Sequence, residues 1–234
     1  VDIKEQDILG DAIGHHWYYR AKAAAMARLL NARPSVSVLD VGAGVGFFSR
    51  KLLEQGAREA VCVDPAYERE HDEMHAGRPI RFVHGVSASA ADTVLLMDVL
   101  EHVDDDVGLL ASYGALVPPG ARLLISVPAF QFMWSAHDVF LDHRRRYTLP
   151  MLESVVRNAG LRPVTGCYYY GLALPLAAAR RMMQRGTATE PRSDLRVHSP
   201  LMNGALWALC AAELPFFKHN RLAGLTVFCL AEKK

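Results

Sequence analysis

Seven consecutive residues, Asp40-Val41-Gly42-Ala43-Gly44-Val45-Gly46, place three glycines and an acid between an apolar segment and a helix-forming one. Glycines at such a junction allow tight turning and let a ligand approach the backbone, while the following helix N-terminus offers unpaired N–H groups. A dinucleotide fingerprint would need glycine where Phe47 stands, and a triphosphate loop would need a Gly-Lys-Ser/Thr ending that is absent. Eighteen residues after Gly46, the next apolar segment ends in Asp64, where a carboxylate can accept two hydrogen bonds from ribose hydroxyls. A nucleoside-bearing ligand without a pyrophosphate fits both features.

Two further runs carry proton chemistry. Asp98-Val99-Leu100-Glu101-His102 is followed by Asp104–Asp106, and it reads either as a reactive cluster or as an acid-rich first turn favoured by the helix dipole. The segment His137-Asp138-Val139-Phe140-Leu141-Asp142-His143-Arg144-Arg145-Arg146-Tyr147 offers His143 as a base, with Asp138 or Asp142 to hold its tautomer. Arg144 or Arg146 can bind a substrate anion, and Arg145 is expected to be solvated. The alternative is an Arg–Asp network that only anchors the loop.

The elements that must position these residues alternate along the chain. Apolar strands are expected at 36–41, 60–63, 80–84, 93–97, 122–127, from 162–164, and at 225–231. Helices are expected at 15–30, 47–55, 66–75, 107–116 and 149–159, several closed by Gly or Pro. This rhythm predicts an α/β, doubly wound, mostly parallel seven-stranded sheet with helices on both faces. Residues 129–147 and 171–220 fall outside it; long excursions at strand C-termini are where such sheets place substrate-binding elements.

The 234 residues, 51% hydrophobic and 22% charged, can bury a core without disulfides or metals. Cys62, Cys167, Cys210 and Cys229 are far apart, which argues against a zinc site or a disulfide framework and fits a cytoplasmic protein. The N-terminal stretch lacks the apolar core of a signal peptide, and 201–217 is too interrupted to span a membrane. The net charge of +1 excludes a globally basic nucleic-acid binder. It conceals a division: residues 1–100 carry 11 basic and 14 acidic side chains, whereas 141–200 carry 10 and 4. An acidic or phosphate-bearing acceptor is therefore worth testing.

The run VLDVGAGVGFFSRKLLEQGAREAVCVDP resembles the first two motifs of class I S-adenosylmethionine-dependent methyltransferases. LLMDVLEHV (95–103) resembles their fourth-strand motif, and LVPPGARLLISVP (116–128) the turn and strand that follow. The resemblance implies a Rossmann-like fold in which Asp40 orients the loop and the methionine amino group. It implies further that Gly42, Ala43, Gly44 and Gly46 admit the cofactor, that Asp64 and Pro65 meet the ribose, and that Asp98 lies beside the cofactor. Many relatives bind the adenine amine with a Gly-Asp pair where this chain has Gly85-Val86-Ser87, so Ser87, a backbone carbonyl or apolar stacking takes that task. The run His16-Trp17-Tyr18-Tyr19 is similar to the aromatic N-terminal helix of a subgroup that closes over the cofactor, with Lys22 at that subgroup's arginine. By that likeness Tyr18 and Lys22 meet the cofactor carboxylate. The alternative is an aromatic cluster that merely packs.

The subgroup includes ubiquinone-pathway O-methyltransferases, in which a Glu-His pair at the place of Glu101 and His102 is linked to a divalent cation. No metal is assigned here on that likeness alone. The resemblance implies one methyltransferase domain over 1–234, with a lid helix (15–30), a cofactor half (36–128), a substrate loop and helical insertion (129–220) and a final strand (225–231). It implies S-adenosyl-L-methionine as cofactor, S-adenosyl-L-homocysteine as product, and in-line methyl transfer to a small acidic or apolar acceptor, oxygen first and nitrogen second. His143 and His102 are the catalytic candidates. Trp17, His137, Arg144, Arg146 and Tyr147 are the substrate-binding candidates. A non-catalytic cofactor-binding partner subunit is the competing class. The insertion reads as a lid, a dimer surface, an interfacial segment in which Arg180, Arg181 and Arg185 meet a membrane, or ordinary core.

Overall fold

Short runs rich in Val, Leu and Ile extend and pair in the computed structural model, which describes residues 8–184 and 193–234. The strands are β1 (Ser37–Val41), β2 (Glu59–Val63), β3 (His71–His75), β4 (Arg78–Val83), β5 (Thr93–Met97), β6 (Arg122–Pro128), β7 (Leu161–Tyr169) and β8 (Thr226–Lys233). They form one sheet in the order β3-β4-β2-β1-β5-β6-β8-β7. The helices are α1 (Trp17–Leu30), α2 (Phe47–Glu54), α3 (Asp106–Leu116), α4 (Ala136–Phe140), α5 (Leu149–Asn158), α6 (Leu174–Gln184) and α7 (Pro200–Glu213).

β1 pairs in parallel with β2 on one side and β5 on the other. The chain runs outward from β1 first one way and then the other, so the loops after β1 and β5 part and leave a crevice between them. Residues 42–46 and Asp98 stand at that crevice. β8 closes the far side antiparallel to both β6 and β7.

One expectation is corrected. The charged stretch 66–75 is not a helix: His71–His75 pairs antiparallel with β4 as a hairpin and gives the sheet an eighth strand. The cause is the turn, because Ala76 and Gly77 adopt φ of 50° and 74°, the two-residue geometry that joins twisted antiparallel strands. Its charged residues suit an edge strand that must not recruit another chain.

Both sheet faces are covered. α1 and α2 bury Tyr19, Met26, Phe48 and Leu53 on one face, and α3 and α5 bury Leu110, Leu152 and Val156 on the other. α1 buries Ala21, Ala23 and Ala25 beside the larger Tyr19, Met26, Leu29 and Leu30. α6 and α7 form the helical insertion between β7 and β8, and Arg185 falls outside the described residues. No helix among the described residues is long and apolar enough to cross a membrane.

Candidate functional site

The glycine loop is built as a fixed turn. Gly42 N–H donates to the Val63 carbonyl at 2.8 Å and Gly44 N–H to Asp64 Oδ2 at 3.1 Å, tying the loop to the end of β2. Gly42 (φ 63°) and Gly46 (φ 68°) need glycine twice over. A Cβ on Gly42 would lie 2.8 Å from Val99 Cγ2, and one on Gly46 3.0 Å from Cys62 Sγ. Asp40 is buried beneath the loop and accepts the Ser49 hydroxyl at 2.8 Å. Burial pushes its carboxyl up to about 6.

Asp64 is half-buried, and its second oxygen accepts the Ala66 N–H at 3.0 Å. A carboxylate has about four acceptor sites, so two backbone bonds aim it and leave capacity for a diol. The donor set at the β1–β2 end therefore fits a ribose. Ser87 and Pro65 are exposed at the same edge.

On the other side of the crevice, α1 delivers a buried ion pair. Lys22 is fully buried and bonds Asp98 and, at 2.9 Å, the Tyr18 hydroxyl. Burial alone would lower the ammonium's pKa, but the Asp98 carboxylate and the Tyr18 oxygen outweigh it and raise it. Asp98 also accepts the Ser126 hydroxyl at 3.2 Å and adopts φ of 61°, a conformation non-glycine residues hold only under constraint. Lys22 thus meets Asp98 directly and, fully buried behind it, is not where a contact with the cofactor carboxylate was expected. Tyr18 stacks on Tyr170, with centroids 5.3 Å apart, and the Tyr170 hydroxyl donates to the Tyr18 carbonyl.

The excursion after β6 leaves and returns at one point. Phe130 N–H donates to the Tyr147 carbonyl at 2.8 Å, and Tyr147 N–H to the Pro128 carbonyl at 2.9 Å. Within this closed loop, Ser135 and Asp138 form a capping box that starts α4. Asp138 is fully buried and receives His143 Nδ1–H at 2.9 Å, Arg146 Nε–H at 2.7 Å and an Arg146 Nη–H at 3.0 Å. Burial opposes its charge, yet the His143 and Arg146 hydrogen bonds hold the carboxyl far below its ordinary range. An ionised Asp138 keeps the proton on Nδ1 and leaves Nε2 as the basic nitrogen of His143. Of the two acids that could hold the His143 tautomer, the structure supplies Asp138.

These elements enclose a cavity of about 500 Å³. Trp17 and Tyr18 of α1, Asp98, Glu101 and His102 after β5, and His137, His143 and Arg146 of the loop line it, with α6 and 194–206 on the remaining wall. Among the described residues, both Glu101 oxygens and the Trp17 indole nitrogen are buried and find no hydrogen-bond partner. Burial, then the neighbouring Asp98 charge, pushes the Glu101 carboxyl well above its usual range. Glu101, His102 and His143 each present a ligand atom within 4.8 Å of the others. The His102 and His143 rings meet edge to face at 4.8 Å.

The run 144–147 divides by position. Arg146 reaches the cavity wall, but Arg144 is exposed near Asp104, and Tyr147 is buried with its hydroxyl donating to Asp106 at 2.8 Å. Neither Arg144 nor Tyr147 is where a substrate contact was expected. Arg145 is not merely solvated either: it donates to the Val103 and Asp104 carbonyls and pairs with Asp106 at 3.3 Å. Arg145 and Tyr147 tie the loop to the turn that carries Glu101 and His102.

The insertion supplies a cavity wall, as the lid reading allowed, but of the residues that fix it the sequence placed only His137 and Trp17 at the site. Asn203 accepts the Trp17 N–H at 2.8 Å and donates to the His15 carbonyl at 2.9 Å, hooking α7 to α1. Asp194 bonds Arg181, and its N–H donates to His137 Nδ1 at 3.2 Å. No local pattern marks these residues, because their partners lie from 13 to 188 positions away in the chain.

The model of a methyltransferase domain family matches residues 14–165, more than half of the chain. A ubiquinone biosynthesis O-methyltransferase of Methylocella silvestris is 39% identical over 97 residues, covering 37% of this chain and 37% of that protein. Another, from Xanthomonas euvesicatoria, is 34% identical over 159 residues, covering 56% of this chain and 66% of that protein. The chain thus spans between about a third and two thirds of these relatives' lengths. A chain in the solved complex of the Haloferax volcanii Trm112 methyltransferase activator with a methyltransferase shares the fold. It has a TM-score of 0.54 and 16% identity, over 91% of this chain and 90% of that one.

Proposed function

The chain belongs to the class I S-adenosylmethionine-dependent methyltransferase family, and we propose that it methylates a hydroxyl oxygen of a small organic acceptor bound in the cavity, with His143 as general base. The observation that carries this reading is the buried Asp138–His143 pair in the cavity wall, on the side of the crevice that also holds Asp98 and Tyr18. When bound, S-adenosyl-L-methionine supplies an electrophilic methyl group on a sulfonium and leaves as S-adenosyl-L-homocysteine.

The residues' parts follow from their positions. Asp64, with Pro65 beside it, holds the ribose, and Ser87 borders the adenine. Asp40 holds the turn of Gly42, Ala43, Gly44 and Gly46 along which the cofactor lies. Asp98, fixed by Lys22 and Ser126, faces the methionine amino group, with Tyr18 next to it. His143 Nε2 accepts the acceptor's proton as its oxygen attacks, and Asp138 stabilises the imidazolium that results. His102, edge-on to His143, and Trp17 and His137 shape the space in which the acceptor is aligned for in-line attack. Arg146 holds Asp138 in place.

His143→Ala is expected to lower kcat by roughly 10²–10⁴-fold with cofactor affinity unchanged, once an acceptor has been found by screening candidates for a methyl mass gain. Wild-type kcat in that variant would remove the base.

The partnerless Glu101 oxygens favour a second reading in which Glu101, His102 and His143 Nε2 hold a divalent cation. The donor set fits, since the carboxylate on Nδ1 of a ligating histidine is the usual support for such a ligand. A cation there would supply Lewis acidity that lowers the acceptor hydroxyl's pKa. Activity that a chelator abolishes and added cation restores supports this reading, and full activity in chelator excludes it.

A further inference from the structure

One wall of the cavity is rich in arginine. The strand-end wall presents Asp98, paired with Lys22, and Glu101, whereas the insertion presents Arg180, Arg181 and Arg196 with, among the described residues, one carboxylate, Asp194. Asp194 bonds Arg181, whose side chain is only 16% exposed, and lies 3.6 Å from Arg180. Each guanidinium has five N–H donors, so one carboxylate cannot satisfy three of them. Asp138, in the loop beside them, is already occupied by His143 and Arg146. Such a surplus of fork-shaped donors, with Arg181 largely buried and Arg180 and Arg196 open to solvent, is matched by a planar or tetrahedral oxyanion. Beside them Leu176, Leu195, Met202 and Leu206 line the same cavity with apolar surface.

We propose that this wall is an anion subsite: the acceptor is an amphiphile whose phosphate or carboxylate is held by Arg180, Arg181 and Arg196 while its apolar body lies against Leu176, Leu195, Met202 and Leu206. This rests on the reading of the cavity as the acceptor site and names the class of acceptor. The anion belongs either to a soluble metabolite or to a lipid headgroup, and the chemistry of recognition is the same for both.

Calorimetry of the full chain with octyl phosphate, octanoate and octanol tests it without any methyl transfer. The two anions are expected to bind at least about tenfold tighter than octanol, as charge-assisted bonds require. The double variant R180Q/R181Q is expected to bring the three probes close to parity. R196Q, at an exposed position, is expected to reduce the preference several-fold and covers the case in which the double variant melts early. Equal affinities in the wild type, or a preference that survives in both variants, would overturn the subsite. Co-sedimentation with phosphatidylcholine vesicles containing phosphatidylglycerol separates the sources. Recruitment lost in R180Q/R181Q assigns a headgroup, and an intact octyl phosphate preference without recruitment assigns a soluble acceptor. Failure to methylate any acceptor would leave this binding result standing, so the two readings fail separately.

Discussion

Asp40 shows how a single residue trades stability for a prepared site. Its carboxyl is buried beneath the glycine loop, and burial pushes it up to about 6. Well below pH 4 the folded and unfolded chains both hold the proton, and there is no penalty. As pH rises from the unfolded value to about 6, the unfolded chain has released a proton that the folded chain still holds, so stability falls and stays lower above that window. An ionised Asp40 at neutral pH therefore costs up to about 3 kcal/mol. Asp40→Asn keeps an acceptor for the Ser49 hydroxyl and removes the charge. It is expected to raise Tm at pH 7.5 and to lose most of that gain near pH 4.5, while weakening cofactor binding. A Tm gain of the same size at both pH values would show that the charge is not its source. Asp40, Gly42, Gly44 and Asp64 were readable from type and spacing, since the turn and the strand end that place them are local. Glu101's isolation was not, because it depends on which partners the fold withholds.

Elements were readable where they depend on their own residues and obscure where they depend on distant ones. α1, α3 and α5 lie within about two residues of their expected bounds, which is ordinary helix-end fraying. The hairpin of β3 and β4 escaped because its charges imitate a solvated helix face, and only the turn at Ala76-Gly77 decides between them. The closed loop 129–147 was expected at the site, but the division of its arginines was not. Tyr147 pairs back onto the end of β6, while Arg145 and Tyr147 both reach Asp106 and Arg146 reaches Asp138, partners that only the fold brings together. The hook between α1 and α7 is similarly non-local. Asn203→Ala would leave the Trp17 N–H without its partner, a local cost of about 1–3 kcal/mol. Amide exchange at Trp17 and the first turn of α1 is expected to quicken about tenfold or more, and exchange in β1 and β5 to stay as in the wild type. Uniform acceleration across the sheet would mean instead that Asn203 supports the whole fold.

At the scale of the molecule, charge and topology point the same way. The sheet order sets the glycine loop at one side of the β1–β5 crevice, and the later part of the chain folds back over the ends of β5 and β6 to complete the cavity. Residues 1–100 carry 11 basic and 14 acidic side chains and residues 141–200 carry 10 and 4, and of the latter Arg146, Arg180, Arg181 and Arg196 line the cavity. If the acceptor is anionic, as proposed above, these arginines steer its approach. Salt screens such steering over a Debye length of about 10 Å at 0.1 M, and closer or buried contacts much less. For an anionic acceptor, kcat/KM is expected to fall steadily as salt rises from about 0.05 to about 0.5 M, mainly through KM, while kcat at saturation holds. A neutral acceptor of the same shape is expected to show no such slope. Steady-state kinetics with the pair would decide it, and a common slope for both would mean that salt acts on the fold rather than on the approach of the acceptor.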